Sequence, residues 1–84
     1  MAQRLAYPVN LERQQDGSIL VSFPDIPEAL TEGKTEREAL AEAEDCLVAA
    51  LGGYLQARRA IPRPSPAHGR TLVPLHAVTE RFTT

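Results

Sequence analysis

The first quarter of the chain alternates apolar and polar residues with the period of a β-strand. Two stretches carry an apolar residue at every second position: Leu5, Tyr7, Val9, Leu11 and then Ile19, Val21, Phe23. This period predicts two half-buried strands. Asp16-Gly17 between them is typical of a hairpin turn, because glycine accepts positive φ. Residues 5–23 therefore predict a β-hairpin with one apolar face, and Pro8, which lacks an amide donor, predicts that its part of the strand lies on an edge or faces outward.

A third strand and a helix are expected next. Two prolines, Pro24 and Pro27, end the second strand because they cannot continue a ladder. Residues 29–32 predict a short third strand, and Gly33 allows the turn into the helix. Thr35 and Glu38 have the spacing of a capping box, in which the Thr35 hydroxyl accepts from the Glu38 amide and the Glu38 carboxylate accepts from the Thr35 amide.

The helix is predicted from about residue 36 to about residue 58. Apolar residues recur at steps of three and four, which places them on one stripe: Leu40, Ala43, Leu47, Ala50 or Leu51, Tyr54. Gly52-Gly53 would cost about 1 kcal/mol each relative to alanine. Either the helix bends there or another backbone packs close to it. The stripe extends past both glycines, so we expect the helix to continue.

The remaining chain predicts an extended connector and a last strand. Alternating prolines within residues 61–66 favour a polyproline-like path, residues 68–70 a turn, and residues 72–75 a strand. The fold class is α+β in the order β-β-β-α-β, with a three- to four-stranded antiparallel sheet and one long helix packed on one face. We expect one domain over residues 1–84. Residues 4–60 would hold the hairpin, third strand and helix, residues 61–75 the connector and last strand, and residues 76–84 a short tail of weak helical or disordered character.

Charge is unevenly distributed along the chain. The net charge of −2 combines about −6 up to Ala57 with about +4 from Arg58 onward. An acidic body repels phosphate and attracts basic partners, although charge alone favours a solvated surface that serves only solubility. The single cysteine permits no intramolecular disulfide, which fits a cytoplasmic protein. No apolar run approaches the roughly 20 residues that cross a bilayer, so no membrane association is expected.

Catalytic chemistry has little support in the sequence. Cys46 lies mid-helix beside the apolar stripe, where a small packed side chain is the favoured interpretation over a nucleophile. One cysteine and two distant histidines, His68 and His76, do not make a zinc site. A metal-dependent nuclease would need acids such as Glu12, Asp25 and Glu44 to converge, and nothing in their spacing demands it. We therefore predict no catalytic, cofactor-binding or metal-binding residue.

The segment after the second strand is the candidate for partner binding. One interpretation is a rigid turn, in which proline fixes the backbone and Asp25 accepts from nearby amides. The other is a partner surface that presents Ile26, Pro27 and Leu30 beside an exposed strand edge. The two interpretations are compatible. The candidate partner-binding residues are Phe23, Pro24, Asp25, Ile26, Pro27, Leu30.

Four motifs follow one another over about residues 7–75: Phe23-Pro24-Asp25-Ile26-Pro27, then Gly33, then Thr35 with Glu38-Ala39-Leu40, then Ile61-Pro62-Arg63-Pro64-Ser65. In this order and at these distances they resemble the HicB antitoxin family. The resemblance implies a partial RNase H-like β-β-β-α-β domain. It also implies that the chain binds a small basic HicA-type toxin and occludes its RNA-cleaving site.

The chain departs from the family pattern in two places. Glu28-Ala29 replaces a Gly-Cys-type pair, which bears on the backbone of the loop because glutamate adopts positive φ less readily. Family members also continue into a DNA-binding domain, whereas the nine residues after Leu75 are too few for one, so no DNA binding is expected of this chain. The alternatives are an orphan homo-oligomer, a dimer or tetramer that has lost its toxin, and, with less support, a metal-dependent nuclease.

Overall fold

The structure, a computed structural model, describes residues 5–75 and confirms the predicted order of elements. Four strands and one helix follow one another as β1 (Ala6–Arg13), β2 (Ile19–Ser22), β3 (Leu30–Gly33), α1 (Glu36–Gln56) and β4 (Thr71–Pro74). They form an antiparallel sheet in the order β3-β2-β1-β4. The predicted tail at residues 76–84 lies outside the described residues.

The β1–β2 hairpin turns where Asp16-Gly17 predicts it. The Gln14 amide donates to the Ser18 carbonyl at 2.8 Å, and Gly17 has a φ of 91°. The Asp16 carboxylate accepts from the backbone amide and the hydroxyl of Ser18, at 2.9 and 2.7 Å. A three-residue loop with glycine in the left-handed region suits the right-handed twist of the strands.

β1 is an internal strand, so Pro8 does not mark an edge strand. Residues 10–13 of β1 pair with β2, whereas residues 6–9 pair with β4. The Leu75 amide donates to the Leu5 carbonyl at 2.9 Å. Because bonded and non-bonded pairs alternate along an antiparallel ladder, Pro8 opposite Leu72 is a non-bonded pair. The Pro8 nitrogen therefore faces away from β4, toward the side on which this half of β1 pairs with no other strand of residues 5–75.

The helix begins at the predicted cap, with one difference in the hydrogen bonds. The Glu38 amide donates to Thr35 Oγ1 at 3.1 Å. The Glu38 carboxylate accepts from the Lys34 amide at 3.2 Å, and not from the Thr35 amide as the capping box predicts. Half of the box is therefore formed, and the carboxylate satisfies the amide one residue earlier.

The helix continues through both glycines and ends at Gln56. A Cβ built on Gly52 or Gly53 would meet no atom within 4 Å outside the local helix backbone, so the alternative of a close-packed backbone is wrong. Beyond the helix, Arg58 has a φ of 57°, and the Arg59 amide donates to the Tyr54 carbonyl at 2.9 Å. This pattern is a Schellman cap, in which a left-handed residue ends the helix.

One face of the sheet and one stripe of α1 make the hydrophobic core. The buried helix residues recur at the predicted steps of three and four: Ala39, Ala43, Leu47, Leu51, Tyr54. They pack against the inward-facing strand residues, which are Tyr7, Val9, Ile19, Val21, Val73. The same core holds Phe23, Ile26 and Ala29, so the loop after β2 belongs to it.

Candidate partner-binding surface

The loop between β2 and β3, here called the motif loop (residues 23–29), is folded into two tight turns. The Ile26 amide donates to the Phe23 carbonyl at 3.0 Å, and the Ala29 amide donates to the Ile26 carbonyl at 2.9 Å. Proline at position 24 fixes φ near −65° and favours such turns. The loop therefore has a fixed path, as the rigid-turn interpretation predicts.

Burial divides the candidate partner-binding residues into two groups. Phe23 and Ile26 are 2% and 0% exposed, so they anchor the loop in the core and cannot touch a partner. The expectation that Ile26 is presented at the surface is wrong for this reason. Pro24 and Pro27 are exposed, as is Leu30 at the start of β3, which is 57% exposed. These three residues are available for contact.

Asp25 fastens the motif loop to the connector that follows the helix. Its carboxylate accepts from the Ser65 amide at 2.8 Å and from the Ser65 hydroxyl. These are long-range bonds, unlike the local turn bonds that the sequence suggested. Nearby, the Tyr7 hydroxyl donates to the Pro62 carbonyl at 2.7 Å, which ties the same connector to β1. Burial, and secondarily the Asp25 charge, raise the pKa of Tyr7.

Because of the bonds to Asp25, the stability of the protein should vary with pH in the acid range. The side-chain and backbone hydrogen bonds from Ser65 lower the pKa of Asp25. A carboxyl whose pKa is lower in the folded state stabilises the fold above its unfolded pKa of about 3.9. That contribution is lost as the pH falls through the folded value. We expect Asp25→Asn to lower the free energy of unfolding at pH 7 by about 1–2 kcal/mol, and to lower it less as the pH falls below about 4.

Urea midpoints at pH 7 and pH 3.5, for the wild type and Asp25→Asn, measure this prediction. The matched control is Asp45→Asn, since Asp45 is an exposed helix residue. If the urea midpoint fell by the same amount between pH 7 and pH 3.5 in the wild type and in Asp25→Asn, the role of Asp25 would be contradicted.

A second cluster joins the motif loop to the end of the helix. The Glu28 carboxylate accepts from the Tyr54 hydroxyl at 2.7 Å and from Arg59 Nη1 at 2.9 Å. The Arg59 guanidinium lies 4.1 Å from the centroid of the Tyr54 ring, in cation–π geometry. The Tyr54 hydroxyl, which is the first cause, and Arg59 together lower the pKa of Glu28. The bond to Glu28 in turn raises the pKa of Tyr54.

The Glu28 cluster was not predicted from the sequence. The only signal was that Glu28 departs from the family pattern. No periodicity relates it to Tyr54 and Arg59, because Tyr54 lies on α1 and Arg59 in the cap that follows it. Glu28 has no positive φ, so the expected backbone difficulty does not arise.

The acidic residues and the cysteine singled out in the sequence have defined places among the described residues. Within residues 5–75, no three His, Cys, Asp or Glu side chains are grouped to hold a metal ion, and Glu12, Asp25 and Glu44 do not converge. The Cys46 thiol is half-buried and lies 3.8 Å from the Leu30 carbonyl. Of the residues described, none forms a helix whose length and hydropathy would allow it to cross a bilayer. Pro24, Pro27 and Leu30 together form an exposed surface on a loop of fixed path.

Comparisons with known proteins agree with this fold. The family model described as "HicB_like antitoxin of bacterial toxin-antitoxin system" matches residues 6–80. The chain is 52% identical over 65 residues to Antitoxin HicB 2 of Photorhabdus laumondii, which covers 77% of this chain and 46% of that protein. It is 47% identical over 62 residues to Antitoxin HicB of Escherichia coli K12, with coverage of 74% and 45%. The chain thus spans less than half the length of these curated relatives.

A solved structure shares the fold at low sequence identity. The crystal structure of the N-terminal domain of Burkholderia pseudomallei antitoxin HicB matches with a TM-score of 0.67 and 14% identity. The match covers 83% of this chain and 94% of that domain. Nearly all of that domain therefore has a counterpart here.

Proposed function

Because the chain belongs to the HicB-like antitoxin family of bacterial toxin–antitoxin systems, we propose that it binds a HicA-type, mRNA-cleaving toxin and occludes its RNA-cleaving site. The strongest support is the family match over residues 6–80, which takes in the sheet, the motif loop and α1. The role is binding without catalysis by this chain, and it is exercised in the cytoplasm, where mRNA is available.

The proposed contact surface begins at the exposed part of the motif loop. Pro24, Pro27 and Leu30 face solvent, while Phe23 and Ile26 hold the loop from beneath. A preorganised loop loses little conformational entropy on binding, which favours affinity. The proposal is confined to toxin binding, and it assigns no DNA binding to this chain.

Co-expression with a small HicA-type toxin, sought in the reading frame next to this gene, tests the proposal. We expect the protein to restore growth and to co-purify with the toxin. Leu30→Asp should weaken binding at least about tenfold, because a carboxylate would replace an apolar contact. The matched control is Leu55→Asp, since Leu55 is a similarly exposed leucine (46%) on the helix. Failure of the wild type both to restore growth and to co-purify would contradict the function, and self-association alone would favour the orphan homo-oligomer.

A further inference from the structure

The sheet has a second face, which points away from α1 and is here called the outer face. Its strand positions alternate with those of the core: Ala6, Pro8, Asn10, Glu12, Leu20, Ser22, Leu30, Glu32, Leu72, Pro74. Two of its leucines, Leu30 and Leu72, are 57% and 47% exposed. Among residues 5–75, the single helix packs on the opposite face. Pro8, which also lies on this face, is fully buried, so the first half of β1 is covered there. The part of the outer face that is open to contact runs over β3, β2 and the second half of β1, and it is partly apolar.

The centre of the outer face has a defined charge pattern. Glu12 pairs directly with Leu20, and Leu20 pairs directly with Glu32, so the three side chains form one row across β1, β2 and β3. Leu20 is half-buried and both glutamates are exposed. Two interstrand spacings separate the carboxylates, which places their strands about 10 Å apart. None of the ten outer-face strand positions carries a lysine or arginine.

This pattern selects the kind of molecule that can cover the face. A second copy docked face to face would bring four glutamates together around two leucines, and like charges at an interface are strongly unfavourable. Nucleic acid is repelled by the same carboxylates. A protein with cations on either side of an apolar side chain would match both the charge and the apolar centre.

We propose that the outer face receives a basic protein partner, which places an apolar side chain on Leu20 and a cation near each of Glu12 and Glu32. This inference rests on the proposed function, in which that partner is the toxin. Leu30 lies both next to the motif loop and on the outer face, so it joins the two surfaces into one. The partner thus covers the β1–β2–β3 part of the sheet in addition to the loop.

Charge reversal separates this surface from general acidity. The test pair is the double variant Glu12→Lys/Glu32→Lys, and the control is Glu42→Lys/Asp45→Lys on the exposed side of α1, which changes the net charge equally. Binding of the HicA-type toxin identified by co-expression would be measured by titration calorimetry. We expect the outer-face pair to raise Kd about 100-fold and the helix pair to raise it less than about fivefold. Leu20→Ala should raise Kd about tenfold, and Glu12→Gln/Glu32→Gln should produce a smaller rise than the lysine pair.

The controls keep the result interpretable. The four acidic residues replaced by lysine are all exposed, so the unfolding midpoints of both lysine pairs should change little. Added salt should weaken the wild type more than the outer-face lysine pair, because the attraction between charges is screened. Equal loss of binding in both lysine pairs, or wild-type binding by the outer-face pair, would overturn the inference while leaving the proposed function intact. Absence of toxin binding by the wild type would overturn both.

Discussion

Replacing Gly33 with alanine is expected to lower the free energy of unfolding by about 3 kcal/mol, because overpacking against backbone has no easy relief. A Cβ at Gly33 would lie 2.7 Å from the Ala39 Cα and 2.9 Å from the Glu38 carbonyl carbon, and closer still to the Ala39 nitrogen. These are backbone atoms in the first turns of α1, so the helix itself would have to move away from β3. Urea unfolding monitored by circular dichroism measures the loss.

The same substitution at Gly53 provides a control with the opposite sign. Gly53 is exposed within the helix, and a Cβ there would meet nothing within 4 Å. Gly53→Ala should therefore raise the free energy of unfolding by about 1 kcal/mol, from helix propensity alone. If Gly33→Ala were neutral or stabilising, the close approach between β3 and α1 would not be a constraint on the fold.

Truncation of Ile26 should show that the motif loop is held from beneath. Ile26 is fully buried, and Ile26→Ala should cost about 2–5 kcal/mol because it leaves a cavity in the core. Leu30→Ala, at an exposed position, should change stability by no more than about 0.5 kcal/mol. For toxin binding we expect the opposite order, since Leu30→Ala removes a proposed contact directly. We expect Ile26→Ala to weaken toxin binding only to the extent that the motif loop changes its conformation.

Two measurements separate these effects. Urea midpoints report stability, and calorimetric titration of the toxin reports affinity well below the unfolding midpoint of each variant. A stable Ile26→Ala protein would contradict the anchoring role. An Ile26→Ala protein that is destabilised and yet binds with wild-type affinity would show that the loop keeps its path without the anchor.

The local part of this fold could be predicted from sequence because its causes are local. The alternation of apolar residues, the glycine turn and the hydroxyl cap at Thr35 act over a few residues, and the structure has all of them. The helix boundary differs by two residues because Arg58 adopts a left-handed conformation. No pattern of hydrophobicity signals that choice for an arginine.

The contacts that shape the candidate surface depend on residues far apart in the chain. Asp25 contacts Ser65 because the connector returns beside the motif loop, and Glu28 contacts Arg59 because the end of α1 lies against that loop. The sequence also does not indicate which side chains of that loop are buried, because the period of two that assigns strand residues to faces does not apply to turns. The sequence therefore indicates a candidate segment, and the structure shows which of its side chains reach solvent.

The divided pairing of β1 has a consequence for how the protein folds. Its second half pairs with β2, which is close in sequence. Its first half pairs with β4, which lies at the other end of the described chain. Closing the long loop between β1 and β4 costs more conformational entropy than closing the hairpin, so the β1–β4 pairing forms more slowly. The hairpin would therefore form as an early nucleus, and the ladder to β4 would close last. Opening from the native state should run in reverse, with amide protons of the β1–β4 ladder exchanging before those of β1–β2.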